Sequence, residues 1–237
     1  MKISVVMPAH NEEVLLQESV DAVCAGLRSR GDAFEVIVVE NGSSDRTPEL
    51  AHELAAANDE VRTLSRDEAD YGAALRLGLL EATGEAVVNF DVDYYDLGFL
   101  EAAVPALGQA PSPAIVVGSK RAPGAHDRRS RPRRFVTWGF TTLLRLLFRI
   151  GVSDTHGMKA MARTRVEGLA RRCRFDADLF DTELVIRVER AGMRVTEIPV
   201  TVSERRPSRT PILRRVPRSL WGLVRLRLAL SREHAAA

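Results

Sequence analysis

Asp91-Val92-Asp93 puts two carboxylates one residue apart at the end of an apolar run, Ala86-Val87-Val88-Asn89-Phe90. Such a run suits a buried strand. In an open α/β sheet, ligands collect beyond the carboxyl ends of the strands. A strand that finishes in Asp-x-Asp therefore delivers acid to the place where a ligand would sit. Carboxylates this close repel each other unless positive charge lies between them. A hard divalent cation such as Mg²⁺ fits, because it binds through one or two carboxylates plus the oxygens of a substrate phosphate. The plain alternative for the same residues is a solvated acidic turn.

The elements that must position this pair follow from periodicity. Residues 3–7 predict a strand stopped by Pro8. Asn11 is the expected cap of a helix whose buried face is Leu16, Val20, Val23 and Leu27, closed by Gly31. Residues 34–40 predict a second strand, running into Glu40-Asn41-Gly42-Ser43-Ser44-Asp45-Arg46-Thr47-Pro48. That is loop chemistry followed by a helix start, with Ser44 or Asp45 as cap. A short strand at 61–65 and a helix at 72–82 precede the strand that carries the acids. Strands and helices alternate four times within roughly 95 residues, which predicts an α/β fold with a mostly parallel, Rossmann-like central sheet flanked by helices. No Gly-x-Gly-x-x-Gly follows the first strand and there is no Walker loop.

Further on, the pattern predicts a helix at 99–107, a strand at 114–119 and a mobile basic loop at 120–134. That loop holds Lys120, Arg121, Arg128, Arg129, Arg131, Arg133 and Arg134. An amphipathic helix is expected at 135–150, a turn at Asp154-Thr155-His156-Gly157, a short strand at 158–162, a helix at 182–191 and a strand at 195–202. A polar linker at 203–211 and a last helix at 217–230, with arginines set among Leu, Trp and Val, complete the chain. The expected division is one domain over 1–210 and a basic amphipathic helix and tail over 211–237.

Charge is segregated along the chain. Residues 1–119 carry 7 Lys/Arg against 21 Asp/Glu, and residues 120–237 carry 27 against 11, so a net +2 conceals −14 and +16. The basic half fits an anionic membrane surface or a phosphorylated lipid. Nucleic acid is the weaker fit, because the basic loop is poor in aromatics. Cys24 and Cys173 are far apart and read as reduced structural thiols. The opening Met1-Lys2-Ile3-Ser4 has no leader pattern, and no apolar run approaches a membrane span. The expected location is cytoplasmic, peripheral on the inner face of the cell membrane.

Several segments together resemble the inverting family 2 glycosyltransferases with the GT-A fold. Val5-Val6-Met7-Pro8-Ala9-His10-Asn11-Glu12-Glu13 is similar to that family's opening strand and loop. Val38-Val39-Glu40-Asn41-Gly42-Ser43-Ser44-Asp45-Arg46-Thr47 is similar to its second-strand signature. Gly72-Ala73-Ala74-Leu75-Arg76 with Gly78, Asp91-Val92-Asp93, and Gly118-Ser119-Lys120 follow in the family's order. Asp154-Thr155-His156-Gly157-Met158-Lys159, Glu183-Leu184 and Glu197-Ile198-Pro199-Val200 look most like the polyprenyl- or dolichyl-phosphate mannose and glucose synthases.

The resemblance implies transfer of a hexose from a nucleoside diphosphate sugar (GDP- or UDP-hexose) to a lipid phosphate. It implies that Pro8, Ala9 and Glu12 line the base pocket, that Glu40 accepts from base or ribose, that Gly42 lets the backbone approach closely, and that Asn11, Ser43 and Gly72 also bind substrate. Asp91 and Asp93 would hold Mg²⁺ or Mn²⁺ on the diphosphate, while Lys120, Arg121 and Arg134 of the basic loop would add positive charge there or grip the acceptor phosphate, with His156 also among the substrate-binding residues. A hydroxyl acceptor needs a general base, for which Asp154 or His156 is the candidate. A lipid monophosphate does not, since its second pKa is about 6. Glu40-Asn41, Asp70-Tyr71 and Tyr94-Tyr95 depart from the usual Asp-Asp, Gly-Lys and Leu-Gln. These departures leave two alternatives open, a glycan or small-molecule hydroxyl acceptor and a non-catalytic sugar-nucleotide-binding module.

Overall fold

The computed structural model describes residues 1–127, 131–202 and 212–235. The linker expected at 203–211 and Arg128 and Arg129 lie outside the described residues, as do the side chains of Arg131, Arg133 and Arg134. In chain order the elements are β1 (Ile3–Ala9), α1 (Leu16–Arg30), β2 (Phe34–Asn41), α2 (Thr47–Ala57), β3 (Val61–Arg66), α3 (Tyr71–Glu81), β4 (Ala86–Asn89), α4 (Leu97–Gly108) and β5 (Ile115–Ser119). There follow β6 (His126–Asp127), α5 (Arg131–Phe148), β7 (Lys159–Ala162), α6 (Arg163–Arg172), a 3₁₀ turn at Ala177–Leu179, α7 (Phe180–Arg190), β8 (Val195–Pro199), β9 (Thr201–Val202) and α8 (Ile212–Ala235).

Seven strands form one sheet in the order β3-β2-β1-β4-β7-β5-β8. All neighbours run parallel except β7, which is antiparallel to both β4 and β5. From β1 the chain moves outward to β2 and β3, then returns to lay β4 on the other side of β1. The resulting switch point, beyond the carboxyl ends of β1 and β4, is where open α/β sheets take their ligands. The sheet is covered on both faces, so β1 and β2 are nearly continuous apolar runs. Val5, Val36, Val38 and Val88 pack on the layer of α1, α2 and α4. The alternate residues Val6, Ile37, Val39 and Val87 pack on α3, α6 and α7 and on the inner side of α8.

Several boundaries differ from expectation for physical reasons. β1 runs through Pro8 to Ala9, paired with Val39 and Glu40. Val6 bonds toward β4 by accepting from the Phe90 amide, and Pro8 faces the same side two residues later. Pairing with β4 has ended there, so the missing N–H costs no ladder bond. Asn11 does not cap α1, whose N-cap is Leu15. Asn11 instead takes φ 55°, the left-handed region that Asn tolerates. The N-cap of α2 is Arg46, with Asp45 one residue earlier accepting from the Thr47 amide at 2.9 Å. The expected mobile loop contains β6, paired with β9, and α5 begins at Arg131 with Pro132 in its first turn. The strand expected at 195–202 is two strands, and α6 and the 3₁₀ turn were not anticipated. α8 starts five residues before its expected beginning.

One acid stands out inside the β1–β2 pair. Glu35 is buried and accepts from Ser4 Oγ (2.6 Å), the Thr83 amide and hydroxyl (both 2.7 Å) and Arg62 Nε (2.8 Å). Burial pushes its carboxyl up, but these donors outweigh burial and hold it at about 2 instead of 4.5. A lowered carboxyl contributes stability above its unfolded pKa and loses it as pH falls through the folded one. Glu35→Gln is therefore expected to cost about 2 kcal/mol at pH 7 by urea unfolding. The penalty should fade between pH 4.5 and about 2. A penalty unchanged across that window would show that the charge plays no part.

Candidate active site

The loops that leave β1 and β2 are zipped together. His10 Nδ1 donates to the Asn41 carbonyl at 2.9 Å, and the Asn11 amide donates to Ser43 Oγ at 3.0 Å. The Ser44 amide donates to Asn11 Oδ1 at 2.8 Å, the Glu12 amide to Thr47 Oγ1 at 2.7 Å, and the Arg46 amide to Glu13 Oε2 at 3.1 Å. Glu40 is buried and accepts from the Ser43 amide at 2.7 Å. Gly42 takes φ 63°, and a Cβ there would lie 2.8 Å from the Asp67 carbonyl, so only glycine fits. Pro8 and Ala9 lie buried beneath this crest. Seven of the expected substrate-binding residues, Pro8, Ala9, Asn11, Glu12, Glu40, Gly42 and Ser43, thus lie along one contiguous rim. Most of its loop amides are already satisfied, which fixes its shape.

Beside the rim stand the acids. β4 ends at Asn89, and Asp91 to Tyr94 form a tight turn whose two backbone bonds, Asp91 amide to Tyr94 carbonyl and the reverse, are both 3.1 Å. Ser19 Oγ of α1 holds the Val92 carbonyl at 2.7 Å, and the Tyr94 hydroxyl donates to the Thr201 carbonyl at 3.2 Å. Asp96 is used as the N-cap of α4, accepting from the Phe99 amide. Asp70 caps α3, where Gly72 lets the backbone pass so close that a Cβ would meet the Ala177 carbonyl at 2.4 Å. Tyr71, the next residue, donates its hydroxyl to Asp91 Oδ1 at 2.8 Å. Burial pushes the Asp91 carboxyl up to about 6, with Asp93 and Asp181 adding to it against the pull of Tyr71 and Lys159.

Lys159 and Asp181 are the residues that sequence reasoning missed. Lys159 is fully buried on β7, with Nζ 2.8 Å from Asp181 Oδ1 and donating to the Gly157 carbonyl at 2.8 Å. Its amide donates to Asn89 Oδ1 at 2.7 Å. The available signal was one lysine inside an apolar strand pattern, a charge that has to be paired if it is buried.

On the far side of β7, Asp154 is buried, 3.5 Å from Lys120 Nζ, and accepts from the His156 amide at 3.0 Å. Burial pushes this carboxyl up, but Lys120, then the His156 amide and Lys159, hold it below its ordinary range. The His156 ring is exposed, edge-on to Phe140 with centroids 5.2 Å apart. Gly157 runs against β5 so closely that a Cβ would lie 2.2 Å from the Gly118 carbonyl. The Arg121 amide bonds to Ser119 Oγ at 3.2 Å, and its Nη1 has no hydrogen-bond partner among the described residues. Lys120, Arg121, Asp154 and His156 therefore form a second group beyond β5 and β7. Lys159 lies within electrostatic reach of both Asp91 and Asp154. Among the described residues no three His, Cys, Asp or Glu converge as a metal cage. The pair Asp91 and Asp93 supplies hard oxygen donors that leave positions for a ligand's own oxygens, the donor set suited to Mg²⁺ or Mn²⁺.

A family profile described as Glycosyl transferase family 2 matches residues 4–168. The chain belongs to glycosyl transferase family 2. Glycosyltransferase AglD of Haloferax volcanii is 36% identical over 205 residues, 84% of this chain and 33% of AglD. Dolichyl-phosphate beta-glucosyltransferase ALG5A of Trichomonas vaginalis is 30% identical over 213 residues, 85% of this chain and 66% of ALG5A. The chain thus spans one third of the former and just under two thirds of the latter. Glucosyl-3-phosphoglycerate synthase of Mycobacterium tuberculosis, crystallised with Mn²⁺, UDP and glucosyl-3-phosphoglycerate, superposes with a TM-score of 0.69. That match has 22% identity, covers 95% of this chain and 79% of the synthase, and bears on the fold, which is GT-A.

Among family 2 glycosyltransferases this chain's departures have local accounts. Asn41 accepts from the Asp70 amide at 2.9 Å and so ties the β1–β2 rim to the start of α3. Asp70 and Tyr71 cap α3 and hold Asp91. Lys159→Met is expected to cost about 3–5 kcal/mol in unfolding free energy by leaving Asp181 buried and unpaired. The double variant Lys159→Met with Asp181→Leu is expected to recover most of that loss. Equal losses in both would show that the pair's charge is not what the strand needs.

Proposed function

We propose that this family 2 glycosyltransferase moves a hexose, with inversion, from a UDP- or GDP-hexose to a lipid phosphate at the cytoplasmic face of a membrane. The observation that carries the reading is the Asp91–Asp93 turn, pinned by its own backbone bonds and by Ser19 at the switch point beside a fixed rim. The rim would take the nucleoside, with Glu40 and the loop of Asn11 and Glu12 toward base and ribose. Asp91 and Asp93 would hold Mg²⁺ or Mn²⁺, whose chemistry there is to stabilise negative charge on the departing nucleoside diphosphate. Tyr71 fixes one oxygen of Asp91 and leaves the other for that task.

On the acceptor side, a phosphate oxygen attacks the anomeric carbon as the bond to the diphosphate breaks, and the diphosphate leaves with the bonding pair. A dianionic phosphate brings its own nucleophile. Asp154 supports this choice because it makes a poor base: it is already an ion-paired anion with a lowered pKa. Lys120 and Arg121 would meet an incoming phosphate. The similarity to dolichyl-phosphate beta-glucosyltransferases points the same way. No helix among the described residues is long and apolar enough to cross a membrane.

Asp91→Asn and Asp93→Asn are each expected to weaken Mn²⁺-dependent binding of UDP- or GDP-hexose by more than tenfold, read by calorimetry, with an unchanged melting temperature. Binding that survives both changes would remove the metal assignment. His156→Ala should leave transfer to a short polyprenyl phosphate within about threefold, whereas a roughly thousandfold loss would favour a hydroxyl acceptor with His156 as base.

A further inference from the structure

α8 has two apolar faces. Leu223, Leu226 and Leu230 are buried in the core under the sheet. A second set points the other way. Leu220, Trp221, Val224 and Leu228 are exposed and, at helical spacing, form one outward stripe. Arg227 borders that stripe on one side, and Arg225 and Arg232 border it on the other. All three are exposed, and the Arg225 guanidinium rests 5.5 Å over the Phe175 ring. α5, which packs on α8, repeats the arrangement. Its inner residues Leu144 and Phe148 are buried, while Phe135 (71% exposed), Trp138 (52%) and Leu146 (75%) face out, with Phe135 and Trp138 stacked at 5.8 Å. Core packing accounts for the inner faces only. Of the ten large apolar side chains exposed among the described residues, seven lie on these two helices, including Trp138 and Trp221, the only tryptophans in the chain.

We propose that the outward faces of α5 and α8 are an interfacial docking surface for an anionic lipid bilayer, with Trp138 and Trp221 at the headgroup boundary. Tryptophan with flanking arginine suits that boundary, where one end of the ring is apolar and the other wet. The sign of the charge agrees, since residues 120–237 carry 27 Lys/Arg against 11 Asp/Glu. A second copy of the chain fits less well. A two-fold interface sets the same patch against itself and would bring arginine borders together. The surface rests on the lipid-phosphate reading for its purpose alone, because it would carry the enzyme to where such an acceptor lies.

The two tryptophans make the test direct. Emission of the full chain is recorded with vesicles of phosphatidylglycerol and phosphatidylcholine, with phosphatidylcholine alone, and with brominated lipids. A blue shift and bromine quenching on the anionic vesicles, weakened by added salt, are expected. Trp221→Ala should weaken vesicle partitioning by roughly tenfold. Arg227→Glu should weaken it at low salt and less so at high salt, with both variants melting like the parent. Unchanged emission on anionic vesicles overturns the proposal. So does a shift that depends on protein concentration without lipid, which assigns the face to a second copy. If vesicles bind but no lipid phosphate accepts sugar, the docking surface stands and the acceptor reading fails.

Discussion

The structure depends on a buried ion pair in the middle of its sheet. Lys159 has no exposed surface, and its partner Asp181 is nearly as deep. Removing two charges from water costs several kcal/mol per ion, and the cost is offset only where geometry is tight and further hydrogen bonds complete the groups. Here Lys159 Nζ reaches both Asp181 and the Gly157 carbonyl, while its amide holds Asn89, the last residue of β4. β7 is the one strand that runs against its neighbours. The pair pins that strand to α7, to the turn ahead of it and to the end of β4, from which the acids project.

The same cation sits between two acids whose carboxyls are displaced in opposite directions. Asp91 is pushed up to about 6 by burial with Asp93 and Asp181 nearby, whereas Asp154 is held down by Lys120 and the His156 amide. Environments that drive like groups apart assign them different work. Asp154 already has its counter-charge, so it orders the turn at 154–157. Asp91 instead accepts from the Tyr71 hydroxyl, and Asp93 and Asp181 lie close enough to add to the upward push on its carboxyl. The rim of β1 and β2 complements this by spending its loop amides on itself, so that ligand binding need not order it.

Much of the first half was legible because its signals are local. The runs Val5-Val6-Met7 and Val36-Ile37-Val38-Val39, and the helical spacing of Leu16, Val20, Val23 and Leu27, state their period within a few residues. Asp91 and Asp93 were found because an apolar run ended on them. What escaped depends on distant partners. Asn11 looks like a helix cap until Ser43 and Ser44 arrive from 32 and 33 residues away. Pro8 looks like a strand end unless the length of β4 is known. α6 fully buries only Val166 and Ala170 in a segment half of whose residues are charged, too thin a stripe to announce a helix. Lys159 and Asp181 are 22 residues apart, and nothing in either neighbourhood names the other.

α8 shows why a pattern of apolar and basic residues is ambiguous before structure. The sequence records amphipathic character but not which face is turned inward, and here there are two such faces. The inner one is fastened firmly. Glu233 bonds to Arg187 at 2.8 Å and pairs with Arg174 at 3.2 Å, and Gly222 lies so close to Leu179 that a Cβ would fall 2.3 Å from its Cδ1. Leu179 closes the 3₁₀ turn whose Ala177 amide donates to Asp70 at 2.6 Å, and Asp70 caps the helix that presents Tyr71 to Asp91. From α8 to Asp91 each step is a direct contact. The path is therefore a brace. It holds Asp91 at a fixed offset from α8, so that the acids keep their place relative to the outer face of that helix.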